Sequence, residues 1–150
     1  MTHTYTQLLY HLVWSTKNRE PKINEEFQER LYQYLGGTFR NTGAMCIEIG
    51  GMTDHLHILA RIPPKISIAN LVRDTKIAST KWLQENVLRY QSFAWQEGYG
   101  AFSVSRSNID TVVSYIRNQH QHHTKQSFRD EFLQLLIKHG VECDERYLWK

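Results

Sequence analysis

The sequence predicts an α+β fold: a ferredoxin-like or RRM-like βαββαβ antiparallel sheet with additional C-terminal helices. Three observations lead there. Runs of two-residue alternation, such as Thr6 to Ser15 and His55 to Ile62, mark strands, because successive side chains of an extended chain point to opposite faces. Apolar residues at spacings of three and four, such as Phe27, Leu31, Tyr34 and Leu35, mark helices. The two kinds follow one another as strand, helix, two strands, helix, strand, an order that commonly closes as a sheet with its first and third strands central.

In the first strand, Leu8, Tyr10, Leu12 and Trp14 share one face, while Gln7, Leu9, His11 and Val13 share the other. Both faces are fairly apolar, as suits a central strand. A polar, basic loop from Lys17 to Lys22 follows, and Asn24 before Glu25 and Glu26 reads as a helix N-cap with acids in the first turn. Gly36-Gly37 would end or interrupt that helix before Gly43. Met45 to Ile49 reads as a short strand, and Gly50-Gly51 with Thr53-Asp54 as the turn into a third strand that Pro63-Pro64 stops. Ser67 opens a second helix with Ile68, Leu71, Val72, Ala78 and Trp82 on its apolar stripe. A glycine-hinged loop, Trp95 to Gly100, leads into a fourth strand from Ala101 to Ser105. Asn108 can cap a third helix reaching about His120, and Ser127 with Asp130 starts a fourth, with Phe128, Phe132, Leu135 and Leu136 inward and Gly140 at its end.

A chain of 150 residues without repeats, low-complexity segments or interdomain linkers is expected to be one domain, 1–150. With 18 Lys and Arg against 15 Asp and Glu, the net charge of +3 permits a nucleic-acid partner without requiring one. Cys46 and Cys143 lack metal or redox spacing and read as reduced thiols. No signal peptide and no run of membrane-spanning length is seen, so a cytoplasmic location and no membrane partner are expected.

Two segments carry chemistry. In Asp54-His55-Leu56-His57-Ile58-Leu59 the histidines project to one strand face, expected to be open, beside His11 or its neighbours. Nearly sixty residues on, Tyr115 and Gln119 are four apart along one edge of the third helix. Each alone has a bland explanation, solvated histidines or a packed aromatic. Together they allow a divalent cation, held by two imidazoles and a carboxamide oxygen, to orient a phosphodiester for in-line attack by a phenolate, with a covalent phosphotyrosine as product.

His55-Leu56-His57 followed by Tyr115-x-x-x-Gln119 resembles the signature of the one-tyrosine HUH single-strand DNA transposases of small prokaryotic insertion sequences. The similarity extends to His11-Leu12-Val13-Trp14-Ser15-Thr16-Lys17, to the loop from Trp95 to Phe102, to Phe128-Arg129-Asp130-Glu131-Phe132 and to Asp144-Glu145-Arg146-Tyr147. The resemblance implies a homodimer that recognises single-stranded DNA hairpins, uses Mg²⁺ or Mn²⁺, and cleaves and rejoins strands through a 5′-phosphotyrosine intermediate with a free 3′-OH. It maps the nucleophile onto Tyr115 and the metal ligands onto His55, His57 and Gln119. The tyrosine helix can in such proteins act in the partner's site, so assembly in cis or in trans stays open. Gln121 stands where relatives often carry glutamate and receives no role.

Candidate phosphate contacts are Lys17, Arg19, Arg61, Lys65, Arg73 and Lys76. Two other readings remain: a domesticated relative that processes palindromes with the same chemistry, and a non-catalytic RRM-like nucleic-acid-binding module suggested by Gly98-Tyr99-Gly100-Ala101-Phe102. The second leaves His55, His57 and Tyr115 unexplained. A structural zinc site at His120, His122 and His123 lacks cysteines and a second ligand cluster.

Overall fold

A computed structural model describes residues 3–87, 92–123 and 125–148. Strands β1 (Leu9–Ser15), β2 (Met45–Gly51), β3 (His55–Arg61) and β4 (Gly100–Val104) form one antiparallel sheet in the order β2-β3-β1-β4. The predicted topology is therefore present, with β1 and β3 central. Helices α1 (Glu25–Thr42) and α2 (Ile68–Asn86) cover one face, where Phe27, Leu31, Leu35, Phe39, Leu71 and Leu83 pack on Leu12, Trp14, Leu56 and Ile58. Asn24 caps α1 by accepting from the Glu26 amide at 2.9 Å, and Ser67 caps α2 by accepting from the Asn70 amide at 3.2 Å.

The opposite face departs from expectation. It is not open: α3 (Ile109–Arg117), α4 (Gln119–His122) and α5 (Phe128–Lys138) belong to the layer that covers it, with a short α6 (Glu145–Leu148) after them. Phe128, Leu135 and Leu136 of α5 pack with Val13 and Phe102 of the sheet, so the apolar second face of β1 is complemented by α5. His55 and His57 are consequently 0% exposed and His11 is 4% exposed.

Three local differences have physical causes. The Gly36-Gly37 pair does not break α1, which runs on to Thr42 and ends at Gly43 with φ of 98°. Two glycines cost about 1 kcal/mol each in a helix interior, and burial of Leu35 and Phe39 on either side offsets that. Gly50 and Gly51 are not in the turn but at the end of β2, opposite His57 and Leu56. They are glycine because other backbone lies against them: a Cβ on Gly50 would lie 2.6 Å from the Ile116 carbonyl oxygen, and one on Gly51 2.3 Å from that of His55. The helix carrying Tyr115 thus rests directly on β2. Gly50→Ala is expected to lift α3 and destabilise the protein by about 1–3 kcal/mol, as a shift in the denaturant midpoint will show; an unchanged midpoint contradicts this seating. The third predicted helix, finally, is split at Asn118, so Tyr115 lies in the last turn of one helix and Gln119 opens the next.

Among the described residues no helix is long and apolar enough to cross a membrane.

Candidate active site

The site is built on β3, whose period of two turns both imidazoles to the face beneath α3 to α5. Each ring is oriented through its Nδ1. His55 Nδ1 donates to Asp54 Oδ1 at 2.7 Å, and His57 Nδ1 pairs with His11 Nε2 at 2.8 Å. Both Nε2 atoms therefore face the covering helices. There His55 Nε2 lies 2.9 Å from Gln119 Oε1 and 3.4 Å from Glu131 Oε1, while His57 Nε2 lies 3.1 Å from Glu131 Oε1.

Glu131 is the member that sequence reasoning missed. It comes from α5, is 1% exposed, and joins the two segments. Its Oε2 accepts from the Tyr115 hydroxyl and, at 3.0 Å, from Gln119 Nε2, which leaves Gln119 Oε1 turned toward the histidines. His123 Nε2 approaches Glu131 Oε1 at 3.0 Å and Gln119 Oε1 at 3.1 Å. A signal for Glu131 was in the pattern: an acid placed among Phe128, Phe132 and Leu135 lies on the buried stripe of its helix, where a carboxylate needs partners. The structure thus brings together all four predicted site residues, Tyr115, His55, His57 and Gln119, and adds Glu131, His123 and His11.

The electrostatics follow from burial and pairing. Burial drives His11 down to about 3, and the neighbouring His57 adds to the effect, so His11 is neutral and acts as a hydrogen-bonding support. Burial also lowers His55, but hydrogen bonds from Asp54 and Glu131 outweigh it and hold the ring at about 9. Burial lowers His57 despite the carboxylate beside it. For Glu131 burial acts upward, yet bonds from His123, His55 and His57 dominate and keep the carboxyl ionised. Burial and then the Glu131 carboxylate push the Tyr115 phenol above its ordinary range. An added positive charge here would favour the phenolate. His55, His57 and Glu131 each offer a ligand atom, all within 4.8 Å of one another, and so could hold a metal ion.

Tyr115 is reachable. A cavity of about 160 Å³ bounded by His11, Asn108, Thr111, Tyr115, Lys138 and His139 leads to its ring, which stacks on His122 with centroids 4.7 Å apart.

The proposed DNA contacts are scattered. Lys17 and Arg19 follow β1 at the His55 end of the sheet, since Ser15 pairs with His55; Arg61 closes β3 at the far end, with Lys65 beyond it. Arg73 is exposed on α2 and bonded to Asp74 at 3.2 Å. Lys76 is committed within the chain: its ammonium donates to the carbonyls of Gln96, at 2.8 Å, and Gly98, and lies over the Trp14 ring, and burial lowers it to about 8. Its place is to hold the loop from Trp95 to Gly98.

Paired histidines lie on a central strand with a tyrosine brought over them by a following helix, and comparison supplies the class, a one-tyrosine HUH DNA transposase. The chain belongs to the family described as "Transposase IS200 like", whose model matches residues 4–119, and such enzymes cut and transfer DNA strands. It is similar to the ISDra2 transposase TnpA of Deinococcus radiodurans, 28% identical over 119 residues covering 76% of this chain and 85% of that one. It is also similar to the transposase for insertion sequence element IS200 of Salmonella typhimurium, 26% identical over 125 residues, covering 79% and 81%. Two solved structures share the fold. One is a putative transposase from Deinococcus radiodurans, with a TM-score of 0.64 and 24% identity over 79% of this chain and 95% of that one. The other is a REP-associated tyrosine transposase bound to a REP hairpin, with a TM-score of 0.61 and 13% identity over 82% and 73%.

Proposed function

We propose that this transposase, a single domain acting in the cytoplasm, cleaves and rejoins single-stranded DNA beside hairpins at the ends of an insertion sequence, with Tyr115 as nucleophile. One observation carries the reading: the Tyr115 hydroxyl of a chain and the Nε2 atoms of its own His55 and His57 meet on the same carboxylate, Glu131. The hairpin finds support in the relative whose structure is described as bound to one.

The chemistry follows from those contacts. Glu131 Oε2 already accepts the Tyr115 hydroxyl hydrogen and is placed to take the proton as the phenolic oxygen attacks phosphorus. The new bond is Tyr115 O to P, the bond to the 3′ oxygen breaks, and that oxygen takes up a proton to leave as a 3′-OH. The 5′-phosphotyrosine keeps the strand attached for rejoining, which reverses the same steps at a new 3′-OH. Two buried imidazoles and an amide oxygen fit a divalent ion, Mg²⁺ or Mn²⁺, at His55, His57 and Gln119; when bound it would neutralise and orient the phosphate. His11 and Asp54 hold the two rings in register from behind. Lys17 and Arg19, at the His55 end of the sheet, are the favoured phosphate contacts. A homodimer would bring together two such sites, each assembled in cis, for the two ends of an element.

Incubating the protein with labelled single-stranded hairpin DNA and Mg²⁺ or Mn²⁺ tests this. A protein-DNA adduct that survives denaturation and leaves a polymerase-extendable 3′-OH is expected. Cleavage without any adduct would contradict a tyrosine intermediate.

A further inference from the structure

We propose that the cavity beside Tyr115 takes one unpaired nucleobase, that of the nucleotide whose phosphate becomes joined to Tyr115, and that Asn108 reads its edge. This deepens the reading given above, on which it rests, by adding a base-selecting site that neither the nucleophile nor the histidines supply.

The cavity lies between two helices and the sheet. Asn108 and Thr111, like Val112 and Tyr115, recur at the spacing of one helix face on α3 and its cap, and Leu135, Lys138 and His139 do so on α5. His11 of β1 and the end of β4 close it beneath. At about 160 Å³ it has room for one planar base and none for a base pair. A DNA strand enters it only with a base turned out of the stack.

The walls suit such a base. Leu135 is buried and Val112 half-buried, which gives apolar contact. The His139 ring is stacked on Phe102 with centroids 4.5 Å apart, and its Nδ1 donates to the Leu135 carbonyl at 2.9 Å, so it is a fixed, flat wall. At the inner end His11 and Tyr115 stand edge to face, their centroids 6.0 Å apart. Rings accept any base, because every base has a π-face. Asn108 can discriminate. It occupies the N-cap position of α3, where an asparagine side chain ordinarily accepts from an amide two or three residues ahead, yet it makes no such bond. Its carboxamide sets a donor beside an acceptor, the groups that base edges carry in different orders. Lys138 is exposed on the rim, where the next phosphate of the strand would pass.

The chemistry selects the nucleotide. In-line displacement sets the entering phenolic oxygen and the leaving 3′ oxygen on opposite sides of phosphorus. The leaving nucleotide therefore points away from Tyr115, while the nucleotide on the 3′ side of the cut stays beside the ring that bounds the cavity.

Single-turnover adduct formation tests this on the single-stranded hairpin DNA that the protein cuts, with the cut mapped from its free 3′-OH. An abasic site in place of the first nucleotide 3′ of the cut should slow wild type by about 5–100-fold. Thr111→Trp, which fills the cavity from an exposed position, should slow the reaction on the intact strand and lose that dependence on the base. Asn108→Ala, also at an exposed position, should flatten the preference among the four bases at that nucleotide, whereas Lys138→Gln should weaken binding equally for all four. A wild-type rate within twofold on the abasic strand overturns the site and leaves the tyrosine chemistry standing. Base dependence that persists unchanged in folded Asn108→Ala overturns it also, and a preference flattened on the 5′ side of the cut overturns the choice of nucleotide. No adduct on any hairpin DNA removes the strand-transfer reading and this site with it.

Discussion

Tyr115→Phe abolishes the covalent protein-DNA adduct while leaving a folded protein that still binds the hairpin. The variant removes one hydroxyl from a half-buried ring whose stacking on His122 is kept, and Glu131 Oε2 retains the Gln119 amide as donor. The stability cost is about 1.5–3 kcal/mol, the worth of one hydrogen bond to a charged acceptor. The adduct, by contrast, loses the hydroxyl that is bonded to Glu131 beside His55 and His57. Separation on a denaturing gel checks it: any adduct from Tyr115→Phe at a tenth of the wild-type level or more removes Tyr115 as nucleophile.

Glu131 yields the second large effect, in two separable parts. Its carboxylate is the partner of His55, His57, His123, Gln119 and Tyr115 at once. Glu131→Ala leaves those groups buried without their common anion, and breaking a buried charge cluster in this way costs about 3–5 kcal/mol. Glu131→Gln keeps the volume and an oxygen for the Tyr115 hydroxyl, so it is the better probe of chemistry. Without a carboxylate to take the proton, adduct formation should slow by about 10²–10⁴-fold in the folded variant. Single-turnover rates at saturating DNA measure this; a rate within threefold of wild type would make Glu131 a structural residue only.

The parts of this protein that were legible in its sequence are those set by short-range periodicity. Alternation on β3 puts His55 and His57 on one face, and the spacing of four puts Gln119 near Tyr115 even though the helix is split at Asn118 between them. The caps at Asn24, Ser67 and Ser127 were legible for the same reason, since each satisfies amides two or three residues ahead. What escaped depends on contacts far apart in the chain. Gly50 and Gly51 carry a local turn signal, and only the backbone of Ile116 and His55 lying against them explains why they close a strand. The histidine face was expected to be open because nothing near His55 announces α5, more than seventy residues later. An isolated glutamate is normally solvated, so the one sequence mark of Glu131 is its position between Phe128 and Leu135 on the apolar stripe. The sequence around His123 shows only neighbouring histidines, whereas its partners are Gln119 and Glu131.

The central claim is that the nucleophile and its histidines act from one chain, joined by Glu131, and a mixing experiment tests it most directly. Tyr115→Phe and the His55→Ala, His57→Ala double variant are each inactive by design; mixed and allowed to exchange subunits, they are supplied with single-stranded hairpin DNA and metal. A site assembled in cis requires that every chain in the mixture lack one half of the machinery, so no adduct should form. An adduct in the mixture, carried by the chain that retains Tyr115, would show that the tyrosine serves the partner's histidines and would contradict the account.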